Sequence, residues 1–357
     1  MIFPEKIKQA RELRRLTQQE LSARLGLDRS AIGQMEIGLY DATPHLQSLA
    51  FATTMLPAFF EDGLCDDFPA GSLQYRSRAS MIRRVDRAEA HRLGQTLFQT
   101  YRRMAIRLRL PAPKVPRLDD AEPAEAAALV RSTMGLSPDT PIKHLINSVE
   151  RLGVVVLGLP TSLPHRDAFS VWAGDMPVIA LSAGLPGDRI RFTVAHELGH
   201  LALHQSPRGI VTALEGAANE FASALLLPMP TIAEELAEGV TLSRLAILKA
   251  RWGVSIQTLA RKARDLDLLT ERQYHGVFEQ LARMGYGRKS EPGPIAVEKP
   301  RALRQMAERL YGVPLDYPRF AADSKLPQAF LRDIMNAHAE GRAASAPATG
   351  KLLTMKR

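Results

Sequence analysis

The stretch Arg189–His204, RIRFTVAHELGHLALH, contains an H-E-x-x-H run: His196 and His200 bracket Glu197. It holds no proline and no cluster of β-branched residues, so it favours a helix. At about 100° per residue the two histidines fall on one face a single turn apart, with Glu197 beside them. Two imidazoles and a carboxylate presented in this way can converge on one point, which is how a helix holds a zinc ion. The rest of the chain has to bring a third ligand to that point.

The chemistry accounts for the residue types. Neutral imidazoles bind Zn²⁺ without cancelling its charge, a third protein ligand completes the grip, and an open fourth position lowers the pKa of a water toward ~7. Glu197 is then placed to take the water's proton and return it to a leaving amine, as a general base and acid. With nine histidines in the chain, a chance H-E-x-x-H has a probability of roughly 1 to 2 per cent, so an accidental match is disfavoured. The preferred third ligand is Glu215, in the helical run Leu214–Ala222. Asn219 lies four residues later on the same face, where it can hydrogen-bond a ligating imidazole. His204 competes, but on a continuous helix it stands about 12 Å along the axis from His196, too far to share a tetrahedral ion easily. Glu220 is a weaker rival, pointing about 100° away from Asn219.

The segments RIRFTVAHELGHLALH, EGAANEFASALLLP, LKARWGVSIQTLARKARDLDLL and MGYGRKSEP resemble the ImmA/IrrE family of zinc metallopeptidases, in the branch fused to an N-terminal XRE-type helix-turn-helix. The similarity spans roughly residues 1 to 300. His196, Glu197, His200 and Glu215 stand at positions matching the family's ligands and base, and Ala217 departs from a place that is often acidic. The resemblance implies a multidomain, mainly α chain with an α+β core: an N-terminal five-helix helix-turn-helix domain, a zincin-like peptidase domain with a small sheet, and a C-terminal helical region that is itself helix-turn-helix-like.

Residues 4 to 60 read as five short helices. Ile7, Ala10, Leu13 and Leu16 have helical spacing, and Thr17-Gln18-Gln19-Glu20 is a capping box. Gly26 makes the turn and Asp28 caps the next helix, whose Ile32 and Met35 face inward. LTQQELSARLGLDRSAIGQMEIG resembles the XRE or phage-repressor helix-turn-helix. In such a module Arg29, Ser30 and Gln34 reach base edges in the major groove, Arg29 forking onto guanine and Gln34 onto adenine, while Gln18 contacts a phosphate. Residues 1 to 65 hold 7 basic against 8 acidic side chains, which favours a bundle kept for dimerisation or peptide binding. Against that, Arg11, Arg14, Arg15 and a basic connector can supply phosphate contacts. The connector, 66 to 118, contains ten arginines between 76 and 110, with Leu93, Leu97, Tyr101, Met104 and Leu108 forming a stripe that suits packing on a neighbouring domain. Pro111, Pro113 and Pro116 end it.

The expected domains are therefore 1–65, the connector 66–118, a peptidase core 119–235, a helical helix-turn-helix-like region 236–336 and a disordered tail 337–357. In the core, 120 to 153 read as two helices, and Val154–Leu157, Ala168–Trp172 and Pro177–Leu181 as strands, the last two joined by a turn at Ala173-Gly174-Asp175. Val178, Ile179, Ala180 and Leu181 are assigned as an edge strand that holds substrate backbone in extended form; the alternative is an ordinary sheet strand. Arg189 and Arg191 are expected to be solvated or salt-bridged. Residues 241 to 269 read as helix, Gly253 turn, Ser255 cap and helix, a unit that either senses nucleic acid or buttresses the active site, the latter preferred. Residues 295 to 335 suit two amphipathic helices. His165, His204 and Tyr274 are unranked candidates to stabilise an oxyanion.

No apolar run approaches the ~20 residues of a membrane span, and the N-terminus lacks the apolar core of a signal peptide. With a single cysteine, Cys65, an internal disulfide or a Cys-built zinc site is excluded, so a cytoplasmic setting is expected. The functional expectation is a zinc-dependent endopeptidase fused to a DNA-binding module. It would be a transcriptional regulator that reads a double-stranded operator, as a homodimer, and cleaves a repressor, another regulatory protein or itself in a stress, DNA-damage or mobile-element response. Two rivals are a non-proteolytic repressor whose zinc site is structural or ligand-sensing, and an antitoxin-like interaction protein.

Overall fold

The computed structural model describes residues 1–63, 68–69, 83–119, 121–160, 167–204, 211–286 and 291–339. Five helices open the chain: α1 Pro4–Leu13, α2 Gln18–Leu25, α3 Arg29–Glu36, α4 Leu46–Thr53 and α5 Pro57–Phe60. The capping box forms as its sequence implies, with Thr17 Oγ1 accepting from Glu20 N at 3.1 Å and Glu20 Oε2 accepting from Thr17 N at 2.7 Å. Gly26 takes the left-handed turn at φ +66°, a conformation without steric cost only for glycine. Asp28 occupies the N-cap of α3 but its side chain makes no capping bond. Ile7, Leu21, Ile32 and Leu49, all fully buried, close the small core.

Helix α6, Arg84–Leu108, is the spine. Its expected stripe, Leu93, Leu97, Tyr101 and Met104, is buried and packs in one continuous core with the five-helix domain and one face of the sheet. Against α1 it turns polar groups: Gln9 Nε2 donates to Thr96 Oγ1 at 2.9 Å and Lys6 Nζ to Gln99 Oε1 at 3.3 Å. The arginines expected to touch phosphate are committed elsewhere. Arg11 pairs with Glu36 and donates to Leu16 O. Arg14 donates to Thr53 O, and Arg15 pairs with Asp86 and Glu89 of α6. Arg92 pairs with Glu12, Arg103 with Asp62 and Arg107 with Asp323. Much of the connector's positive charge thus clamps the domains together, because a buried or half-buried guanidinium is stable only beside an acceptor. Residues 66–67 and 70–82 of the connector lie outside the described residues.

Three strands follow, β1 Val155–Gly158, β2 Ala168–Ala173 and β3 Met176–Leu181, ordered β1-β3-β2 with β1 parallel and β2 antiparallel to β3. The assignment of Val178–Leu181 as an edge strand is overturned: β3 is central, paired with β1 through Val155–Gly158 and with β2 through Ala168–Ala173. Its backbone groups are consumed on both sides and cannot receive a further strand. Among the described residues β2 pairs only with β3. The alternation of period two divides the sheet cleanly. Val155, Leu157, Phe169, Val171, Val178 and Ala180 face α6, whereas Val156, Ala168, Ile179 and Leu181 face the second core.

That second core is built from α7 Pro123–Thr133, α8 Leu145–Arg151, α9 Gly187–Leu203, α10 Val211–Leu226, α11 Thr231–Ala237, α12 Leu242–Trp252, α13 Ile256–Asp265 and α14 Glu271–Arg283. The span 236–336, expected as one region, divides between the cores. α12 to α14 join the second, while α15 Ala302–Tyr311, α16 Tyr317–Ser324 and α17 Gln328–Ala337 join α6 and the first. The last three replace the two expected helices, since Gly312 ends α15, Asp316 caps α16 at Arg319 N, and Lys325 in the left-handed region ends it. The tail does not begin at 337: His338 is buried, accepts from Gly158 N at 3.0 Å through Nε2, and donates from Nδ1 to Ile334 O at 2.8 Å. Residues 340–357 lie outside the described residues, as does Cys65. No described helix is long and apolar enough to cross a membrane.

Candidate metal centre

The H-E-x-x-H segment occupies the middle of α9, which is sandwiched between the sheet and α10 and buried along nearly its whole length. Gly199 allows the contact: a Cβ there would lie 2.9 Å from Phe221 Cδ1 of α10, inside van der Waals distance, so any side chain would push the two helices apart. α10 is thereby close enough for its own side chains to meet those of α9.

Glu215 does so. Its Oε1 lies 3.2 Å from His200 Nε2 and its Oε2 3.6 Å from His196 Nε2, while the two Nε2 atoms are 3.1 Å apart. These three side chains offer ligand atoms all within 4.8 Å of one another and form a group that could hold a metal ion. The geometry suits the donor set, since nitrogen ligands about 2.0–2.1 Å from a tetrahedral ion are separated by about 3.3 Å. The other ring nitrogens are engaged. His196 Nδ1 lies 2.8 Å from Asn219 Oδ1 and His200 Nδ1 lies 3.0 Å from His204 Nδ1. With Nδ1–H donated outward, each imidazole turns an Nε2 lone pair toward the other, an arrangement that calls for a cation between them. His204, the rival ligand, ends the helix at its C-cap and stands behind His200. Burial, reinforced by His200, lowers its pKa to about 4, so it is neutral near pH 7.

Glu197 is fully buried, and its Oε2 accepts a 2.6 Å hydrogen bond from Ser170 Oγ. The strand period explains the meeting, because Ser170 falls between Ala168 and Trp172 on the α9 face of β2. Trp172 Nε1 fixes the same strand by donating to Leu201 O at 3.0 Å. Nothing in AFSVWA singles out the serine, so its partnership with Glu197 was not readable from the sequence. Of the oxyanion candidates, Tyr274 meets Phe278 edge to face and lies under the Arg264 guanidinium, and His165 lies outside the described residues.

In the N-terminal domain Arg29, Ser30 and Gln34 are exposed along α3. Gln18, half-buried at the start of α2, donates one Nε2 hydrogen to Glu36 Oε2 at 2.9 Å. Arg189 and Arg191 form ion pairs, with Asp167 and with Glu298.

Fold and site together define a helix-turn-helix domain joined to a metallopeptidase-like domain. Residues 7–49 match the family described as Helix-turn-helix, and residues 149–264 the family described as IrrE N-terminal-like domain. The chain therefore fuses an N-terminal XRE-type helix-turn-helix to an IrrE/ImmA-like domain, as the resemblance implied. The second match runs through α12 and most of α13. No curated protein matches the chain.

Proposed function

We propose that this protein is a DNA-binding regulator whose second domain is a zinc-dependent endopeptidase, cutting a repressor or other regulatory protein, or a second copy of itself. One observation supports the reading above the others: His196 Nε2, His200 Nε2 and Glu215 converge on one point while Glu197, between the histidines in sequence, is held aside by Ser170. Zinc bound by these three side chains would supply a Lewis acid and lower the pKa of a water to near 7. Glu197 is the proton acceptor and then the donor to the leaving amine, and Ser170 orients its carboxylate. Asn219 fixes His196, and His204 faces the outer nitrogen of His200.

The substrate backbone pairs with β2, whose Ser170 and Trp172 face α9, replacing the earlier assignment to Val178–Leu181. At the other end of the molecule, Arg29, Ser30 and Gln34 read base edges from the start of α3, with backbone N–H groups at the start of α2 touching phosphate. Because so many arginines are internally paired, a single domain offers few phosphate contacts, so a homodimer on two half-sites is the binding form.

The test is incubation of the full chain with candidate repressors, with and without zinc and a chelator, beside Glu197→Gln. Cleavage should require metal and vanish in Glu197→Gln, which keeps all three ligands. Regulation that survives Glu197→Gln intact would overturn the peptidase reading.

A further inference from the structure

A groove of about 2170 Å³ runs beside the metal cluster. Small-molecule sites occupy about 300–1,000 Å³, so the space suits an extended polypeptide. It passes beside the cluster: Asn219, whose Oδ1 lies 2.8 Å from His196 Nδ1, lines it together with Gly216, Glu220 and Ser223 of the same α10 face and Phe192, one turn before His196 on α9. The opposite wall includes Gln257, Thr258, Arg261 and Lys262 of α13, a face at helical spacing.

The charges of this groove fall into two sets. Most are matched within the protein: Lys249 with Asp188 and Glu291, Arg189 with Asp167, Asp265 with Arg264, and Arg131 with the carbonyls of Leu225, Ser137 and Thr140. Arg261 and Lys262 on α13, and Glu125 and Glu220 on the α7 and α10 side, enter no ion pair among the described residues. Among the described residues the α13 side is therefore left with unmatched positive charge and the α7 and α10 side with unmatched negative charge. The α13 face belongs to the helix-turn-helix-like unit, and its cations Arg261 and Lys262 line the groove.

We propose that α13 is the specificity wall of the peptidase groove, and that Arg261 and Lys262 select substrate segments carrying acidic side chains. This rests on the peptidase reading for the identity of the occupant as polypeptide, but its test is a binding measurement. The full chain with Glu197→Gln is immobilised, a pool of random dodecapeptides is passed over it at low salt, and the retained fraction is sequenced. Asp and Glu should be enriched about two- to fivefold, as expected for partly exposed ion pairs, and the enrichment should fall in about 0.5 M salt. In a chain that also carries Arg261→Glu and Lys262→Glu, both surface positions, the preference should disappear or invert toward Lys and Arg, with circular dichroism and Tm confirming the fold.

A retained fraction with no acidic bias, or a bias that the double reversal leaves unchanged, would overturn the proposal. So would a single-stranded oligonucleotide whose binding depends on Arg261 and Lys262, because it would make the wall a nucleic acid site. If zinc-loaded wild type hydrolyses none of the peptides while the acidic bias and its reversal hold, the peptidase reading fails and the groove assignment stands.

Discussion

Ser170 Oγ and Glu197 Oε2 are 2.6 Å apart, joining the outer strand of the sheet to the middle of the metal-site helix. A hydrogen bond to a carboxylate contributes about 1.5–3 kcal/mol, and here it fixes the rotamer of a side chain with no access to solvent. Ser170→Ala should therefore lower kcat by about tenfold or more while KM changes little, because backbone pairing along β2 survives. Ser170→Thr should recover part of the loss. Steady-state kinetics on a cleavable repressor checks this, and an unchanged kcat in Ser170→Ala would remove the positioning role.

The two kinds of contact to the histidines separate in metal affinity. Glu215→Ala deletes a ligand and should abolish stoichiometric zinc. Asn219→Ala leaves all three ligands but frees the His196 ring, and should weaken affinity by about 10- to 100-fold. Competition with a chromophoric chelator measures both without reference to activity. Equal affinities for Asn219→Ala and the parent would show that the 2.8 Å contact to His196 does not orient the ring.

The parts of this site readable from sequence were those fixed by local geometry. The i, i+4 histidines and the i, i+4 relation of Glu215 to Asn219 follow from the helical repeat alone, and the capping box and Gly26 turn are equally local. What eluded it depended on partners distant in sequence. Strand order is such a property: Val178–Leu181 reads as a strand from its own residues, and only its pairing with both β1 and β2 makes it central. The arginines of α1 and α6 were misread for a related reason. Composition registers a guanidinium but not the carboxylate opposite, so Arg11 and Arg15 read as phosphate contacts although Glu36, Asp86 and Glu89 pair with them.

That distinction is testable on DNA. Arg29 is exposed at the start of α3, and Arg29→Ala should cost about 1–3 kcal/mol on the specific operator and relax the preference at one base pair. Arg15→Ala should leave the preference unaltered and instead lower Tm, because it removes the clamp between the helix-turn-helix domain and α6. Operator affinity by anisotropy, paired with thermal unfolding, separates the outcomes. Loss of sequence preference in Arg15→Ala would return that arginine to the DNA surface.

Acid should loosen the C-terminal helices through His338. The imidazole is 1 % exposed, accepts from Gly158 N and donates to Ile334 O, so both ring nitrogens are used by the neutral form. Burial, opposed by the bond to Ile334 O and aided by Lys299, lowers its pKa to about 4, against about 6.5 for an unfolded histidine. A depressed pKa means that the unfolded chain binds the extra proton more readily, so this contribution is fully present above about pH 6.5 and is lost as pH falls toward 4. The lost stability comes to about 3 kcal/mol. Denaturant unfolding of the parent and of His338→Gln at pH 7.5 and pH 4.5 isolates it: the parent should lose more stability on acidification than the variant, by about 2–3 kcal/mol. Identical acid sensitivity in the two chains would mean that His338 does not hold α17 to the end of β1 in its neutral form.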